Sequence, residues 1–148
     1  MYNYGMKIPN RRVRFDYILE PDRYEAGVSL TGGEAKAIRT GHADISQSVA
    51  RIVDAEAYLI NANIPVSGAT KYDSKRTRKL LLHRDEIVSI GVKMKQRKLT
   101  LVPLKVYTKG RFVKFELALG RPKRKFEKKE AIKQKDIRRE LEREFKVK

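Results

Sequence analysis

The sequence predicts a mainly β protein: about six short antiparallel strands closed into a small barrel, two to three short helices, and a basic C-terminal tail. Three observations carry that expectation. Apolar and polar residues alternate in several short stretches, turn residues separate those stretches, and the composition shifts at Arg121. A chain of 148 residues is most simply one domain with a real core. It divides into a flexible leader over 1–9, the barrel over 10–120 and the tail over 121–148.

In the leader, Tyr, Asn and Gly show no periodicity. Asn10, Arg11, Arg12 and Arg14 then bring three arginines to the first ordered segment. Phe15 to Leu19 reads as a short strand stopped by Glu20-Pro21-Asp22, which is turn chemistry. Tyr24 to Leu30 is the clearest strand, with Tyr24, Ala26, Val28 and Leu30 on one face and Glu25 and Gly27 on the other. Glu25 should therefore point away from the core. Thr31 and Glu34 have the spacing of a capping box for a short helix carrying Lys36 and Arg39, and Gly41 is placed to end it.

Ser48 to Val53 and Ala57 to Ile60 suggest a hairpin around Asp54-Ala55-Glu56. From Asn63 to Lys75, Pro65, Gly68 and polar residues suggest a long exposed loop. A second helix follows from His83 to about Lys95, with Ile87, Ile90, Gly91 and Met94 as its buried stripe. Leu99 to Tyr107 and Phe112 to Leu119 are two more strands, with Gly110 at their turn and Pro103 at a bulge or free edge. The sum is an OB-like barrel, with an open α+β sandwich as the second choice.

The tail holds thirteen Lys/Arg against six Asp/Glu, a net +7, with a thin apolar stripe of Ile137, Leu141 and Phe145. Glu142–Lys146 and Glu144–Lys148 have helix-stabilising spacing. So little apolar surface predicts a tail that is disordered when free and helical on a polyanion. A solvated helix packed on the barrel is the alternative.

Overall charge points to the partner. There are 35 Lys and Arg against 18 Asp and Glu, a net +17, at an ordinary 41% apolar content. That is the footprint of a polyanion binder, nucleic acid before membrane. No stretch approaches the ~20 apolar residues of a bilayer span, so no membrane partner is expected. Cysteine is absent. That rules out disulfides and thiolate metal sites and fits a cytoplasmic location.

No enzyme is expected, and no metal or cofactor. His42 and His83 lack a second ligand at metal spacing, and Thr31-Gly32-Gly33-Glu34 lacks the lysine and length of a P-loop. The densest functional signal is Lys75 to Ile87, reading KRTRKLLLHRDEI. Leu80 and Leu81 are expected in the core while Lys75, Arg76, Arg78 and Lys79 face phosphate. Phe126, isolated among cations, is the best candidate to stack on a base.

Several segments together resemble the SmpB family, the SsrA-binding proteins that bind transfer-messenger RNA (tmRNA) in bacterial ribosome rescue. They are Asn10-Arg11-Arg12 with Asp16-Tyr17, Tyr24-Glu25-Ala26-Gly27, and Gly32-x-Glu34-x-Lys36-x-Ile38-Arg39-x-Gly41. Then come Asp73-x-x-Arg76-x-Arg78-Lys79-Leu80-Leu81-Leu82-His83, Glu86-Ile87 and Leu101-Val102-Pro103-Leu104-Lys105-x-Tyr107.

The resemblance implies a monomer bound one-to-one to the tRNA-like domain of tmRNA, with Asn10, Glu25 and Leu82 in the RNA-contacting face. Gly27, Glu34, Lys36, Arg39, Arg76, Arg78, Lys79 and His83 lie in the surrounding motifs. It also implies a ribosome-binding tail that turns helical in the empty mRNA channel beyond the decoding centre, against small-subunit rRNA. Lys123, Arg124, Lys125, Phe126, Lys128, Lys129, Ile132 and Lys133 match its motif loosely. The chain departs from the family at Phe15, where His is usual, and at Ala35, Ala37 and Ser74. A ribosomal or assembly protein that holds rRNA is the second functional reading.

Overall fold

A computed structural model describes residues 5–68 and 71–146. Of the expectations above, the start of the leader at 1–4, two loop residues at 69–70, the Phe145 side chain and the Glu142–Lys146 and Glu144–Lys148 pairs lie outside that description. The described residues form seven strands and four helices. They are β1 (Lys7–Pro9), α1 (Val13–Asp16), β2 (Tyr17–Val28), α2 (Gly32–Arg39), β3 (Val49–Val53) and β4 (Glu56–Ile60). β5 (Arg78–Leu81), α3 (Arg84–Arg97), β6 (Thr100–Lys109), β7 (Phe112–Pro122) and α4 (Lys125–Lys146) follow.

All strand pairs are antiparallel, and the sheet order is β1-β6-β3-β4-β5-β2-β7. The last strand, β7, also pairs with β6, so the hydrogen-bonded neighbours run in a ring with β1 added outside β6. The ring encloses one core, to which β7 gives Val113, Phe115, Leu117 and Leu119 at the expected period of two. Ile38 of α2 and Ile90 of α3 are fully buried in it. Among the described residues no helix is long and apolar enough to cross a membrane.

Several local expectations hold. Thr31 and Glu34 form the capping box, and Gly41 has the left-handed φ of +82° that ends such a helix. Pro103 sits beside a register shift against β7, where its missing N–H costs no ladder bond. The β3–β4 hairpin turns on Asp54 and Ala55, both at positive φ (51° and 61°). That geometry is the tight hairpin turn whose twist matches the strands.

Other expectations are overturned. Phe15 and Asp16 are helical, and β2 continues through Glu20-Pro21-Asp22. Between Leu19 and Arg23 the register slips against Gly120 and Ala118, so the bulge absorbs the proline without ending the strand. The leader ends in strand β1, paired with β6 from Lys7↔Tyr107 to Pro9↔Lys105. Gly5 makes the approach possible, because a Cβ there would lie 2.3 Å from the Thr108 carbonyl oxygen. The 63–75 loop is anchored by the fully buried Ile64, whose N–H donates to the Ser74 carbonyl at 2.9 Å.

Candidate nucleic-acid interface

The KRTRKLLL stretch is strand β5, and its period of two sorts the side chains differently from the block of cations followed by leucines. Arg78 and Leu80 point inward while Lys79 and Leu81 point outward. Leu81 is 55% exposed, against the expectation that it enters the core, whereas Leu82 packs against the core. The leucine on the outer side is therefore Leu81, not Leu82. Arg78 is fully buried and faces no external partner, which corrects its expected display toward phosphate.

A buried arginine needs an anion and a full set of acceptors. Glu34, also fully buried, supplies the anion: Arg78 Nε donates to its Oε2 at 2.7 Å. Arg78 Nη1 donates to the Ala62 carbonyl at 2.8 Å, and Nη2 to the Ser74 carbonyl and the Tyr72 hydroxyl, both at 3.0 Å. Arg76 adds a second fork, with Nε 3.0 Å from Glu34 Oε2 and Nη2 donating to Oε1. Burial alone would raise the Glu34 carboxyl. Hydrogen bonds from Arg76, the Thr31 N–H, Tyr72 and Arg78 outweigh it and hold the group down at about 2. Glu34, Arg76 and Arg78 thus tie α2, the 63–75 loop and β5 together.

Asn10 is likewise structural. It is buried, and its amide donates to the Pro103 carbonyl at 2.9 Å and the Ile45 carbonyl at 3.3 Å. Its own N–H donates to the Leu104 carbonyl at 2.8 Å. Asn10 therefore satisfies the carbonyls that the β6 bulge releases. Its side chain has no free face for RNA.

The remaining basic residues of the expected set lie on the surface in three groups. Arg11, Arg12 and Arg14 stand around α1, Lys36 and Arg39 on α2, and Lys75, Lys79 and His83 flank or ride β5. Lys79 pairs with Glu56 at 2.6 Å and Arg39 donates to the Arg111 carbonyl at 2.7 Å.

A fourth group surrounds the expected Glu25 and Gly27, and its other members were not among the site residues expected from sequence. The register sets Lys7, Tyr107, Lys114, Gly27 and Leu81 side by side across β1, β6, β7, β2 and β5. The adjoining row holds Lys105, Glu116 and Glu25. Paired residues share a face, so this is one outward surface. Glu25 does point away from the core, and it accepts the Tyr107 hydroxyl and pairs with Lys109 at 3.6 Å. The Tyr107 hydrogen bond, with Lys109 and Lys114 nearby, lowers the Glu25 carboxyl against a small burial effect. Burial and Glu25 in turn push the Tyr107 phenol up, so it remains a donor. Alternation in β6 and β7 was the available signal; the pairing that aligns their outer residues was not.

The tail begins as part of the body. β7 runs to Pro122, paired with Tyr17, so the division at 120/121 cuts a strand. The Lys123 N–H donates to the Asp16 carbonyl at 2.9 Å. Lys128 reaches the Asp16 carboxylate at 3.4 Å. Arg121 grips Glu127 at 2.9 and 3.1 Å and, with the Arg124 N–H, holds that carboxyl down at about 2. Beyond Lys128, among the described residues, no hydrogen bond or ion pair joins α4 to the sheet. Arg124, Lys125, Lys129 and Lys133 are exposed, as are Phe126 (64%) and Ile132 (49%).

These features define a class: a strongly basic protein with a ring of antiparallel strands, cationic groups around it and a helical C-terminal arm. The SmpB protein family model matches residues 7–147. The SsrA-binding protein of a Sulfurihydrogenibium species is 47% identical over 143 residues, covering 94% of this chain and 93% of that protein. The SsrA-binding protein of Gloeobacter violaceus is 44% identical over 140 residues, covering 92% and 91%. A solved chain from work on tmRNA-SmpB and the center of the bacterial ribosome superposes with a TM-score of 0.68 at 42% identity, covering 86% of this chain and 94% of that one. The chain belongs to the SmpB family.

Proposed function

We propose that the protein is a non-catalytic RNA-binding adaptor of trans-translation. It binds the tRNA-like domain of tmRNA and helps deliver the alanylated RNA to stalled ribosomes in the cytoplasm. The observation that carries this reading is near-full-length similarity to proteins named for SsrA binding. Charge and geometry support it. A net +17, spread over several surface groups, suits a folded RNA read by shape, with phosphate contacts supplying affinity. In this reading the ring of strands is a closed OB-like barrel, and the protein binds tmRNA as a monomer, one to one.

The body and the arm divide the work. RNA binding belongs to the ring of strands, and α4 beyond its docked first turn serves the ribosome. Free of tmRNA and ribosome that segment is disordered. In the empty mRNA channel it is helical, with Lys129, Ile132 and Lys133 against small-subunit rRNA. Peptide-bond chemistry is left to the ribosome.

A competition binding assay at physiological salt tests the adaptor reading. The tRNA-like domain of tmRNA should displace rRNA fragments; equal affinity for both would return the protein to the rRNA-binding class. Truncation after Glu130 keeps β7 and the docked turn. It should spare tmRNA binding and abolish rescue of stalled ribosomes, and loss of both would refute the division of labour.

A further inference from the structure

The C-terminal arm begins where its own sequence offers no start signal. The Lys128 N–H donates to the Arg124 carbonyl at 3.1 Å, the first bond of the α4 ladder, so Arg124 stands at the N-cap. An arginine side chain carries donors and no acceptor, so it cannot satisfy the free N–H groups there. The cap comes from inside the turn: Glu127, three residues on, accepts the Arg124 N–H at 3.2 Å.

The sheet holds that turn from two sides. Arg121 is fixed in β7 opposite Ile18. Its guanidinium meets Glu127 with two prongs, Nη1 donating to Oε1 at 3.1 Å and Nη2 to Oε2 at 2.9 Å. On the other side, Lys128 reaches the Asp16 carboxylate at 3.4 Å and lies 5.9 Å from the centre of the Phe15 ring. The Glu127 and Asp16 side chains are only 21% and 22% exposed, so both contacts are partly shielded from water and salt.

A helix is limited by its first turn, which fixes three residues for a single hydrogen bond. That step carries an equilibrium penalty of about 10⁻³, whereas each later residue adds a bond of its own. Beyond Lys128 the arm has no contact of this kind with the sheet among the described residues. We infer that the Arg121–Glu127 clamp, with Lys128 against Asp16 and Phe15, is a standing helix nucleus. It keeps the first turn of the arm folded in the free protein, and the rest of the arm orders by propagation from the body outward.

The nucleus also sets direction. Each helical residue turns by about 100° from the one before, so a helix grown from a docked turn has a fixed phase relative to the sheet. Lys129, Ile132 and Lys133 then leave the body on set sides of the helix. A helix nucleated in mid-arm and joined by loose residues has no such phase. Arg121 and Glu127 are therefore positioning residues, acting on the arm rather than on the ribosome. This inference rests on the reading that the arm orders in the empty mRNA channel, and it adds where that ordering starts and what fixes its register.

The test reads carbon-13 Cα secondary shifts along residues 125–146 of the free full-length protein, in water and through a trifluoroethanol titration. The wild type should be most helical in the first turn, with helicity decaying toward the C-terminus. Arg121→Ala and Glu127→Ala should lower the helical population of that turn and the next about fivefold, the effect of losing one good cap. The remaining maximum should move to mid-arm. Glu127→Gln, which keeps an acceptor without the charge, should fall in between. The thermal midpoint of the sheet should not move, which separates the nucleus from a general loss of fold.

A wild-type profile that peaks in mid-arm, or one that neither alanine variant alters, overturns the nucleus. So does a loss of ribosome rescue in these variants with arm helicity unchanged, since the two side chains would then touch the ribosome directly. The shift profile is read without tmRNA or ribosome, so failure here and failure of the adaptor reading are told apart.

Discussion

Glu34 and Glu25 each accept a tyrosine hydroxyl and stand beside cations, yet Glu34 is fully buried and Glu25 lies on an exposed sheet face. At Glu34 the partners are two arginines, whose planar forks fill its acceptor sites together with the Thr31 N–H and the Tyr72 hydroxyl. At Glu25 the charge partner is a lysine at 3.6 Å, a mobile point charge that another ligand can displace. The same chemical parts make a structural tie in one place and a displayed acceptor in the other. Desolvation decides which.

The largest effect that tests this contrast is Glu34→Ala. It strands Arg78 in the core without its counter-ion, which costs about 3–5 kcal/mol. Denaturant unfolding should show a loss of that size, while Glu25→Ala, an exposed site, should stay within about 1 kcal/mol. Equal losses would erase the distinction. Acid adds a check through the sign of the linkage. The folded Glu34 carboxyl sits at about 2, below the ordinary carboxylate range near ~4.3, so its contribution is complete above that range. Stability should fall as pH drops from about 4.3 toward 2, and Glu34→Gln should flatten that fall.

Next in size is a pair of adjacent leucines in β5. Leu80→Ala should cost about 2–5 kcal/mol, as cavity-forming substitutions in cores do. Leu81→Ala should change stability by about 0.5 kcal/mol or less, because the side chain is half exposed. Similar melting shifts for the two would mean that β5 does not alternate as described.

That pair also shows what was legible in the chain. Strands such as β7 could be read because apolar residues occupy their inner positions and mostly polar ones the outer positions. β5 could not, because an arginine holds an inner place and a leucine an outer one. Only the distant Glu34, brought in by α2, makes a buried Arg78 tolerable, and no local pattern reports a partner 44 residues away. β2 was cut short for a similar reason: Pro21 reads as a terminator, whereas a bulge against β7 accommodates it. The capping box, the hairpins and the β6 bulge were legible because each depends on residues close in sequence. Tyr107 beside Glu25, from strands at opposite ends of the chain, could be found only by pairing.

The smallest effect separates the two carboxylates by salt rather than by stability. Lys109 and Lys114 stand by Glu25 on the outer face, so phosphates approaching that face meet them. Replacing both with Ala should lower the log–log salt slope of RNA binding by about 0.7–0.9 for each phosphate left without its lysine. Arg78→Ala should leave that slope unchanged wherever the variant remains folded, because its guanidinium is spent on Glu34 and backbone carbonyls. A slope that falls with Arg78→Ala would place the buried cluster against RNA. One indifferent to Lys109 and Lys114 would move the phosphate path to the cations around α1 and α2.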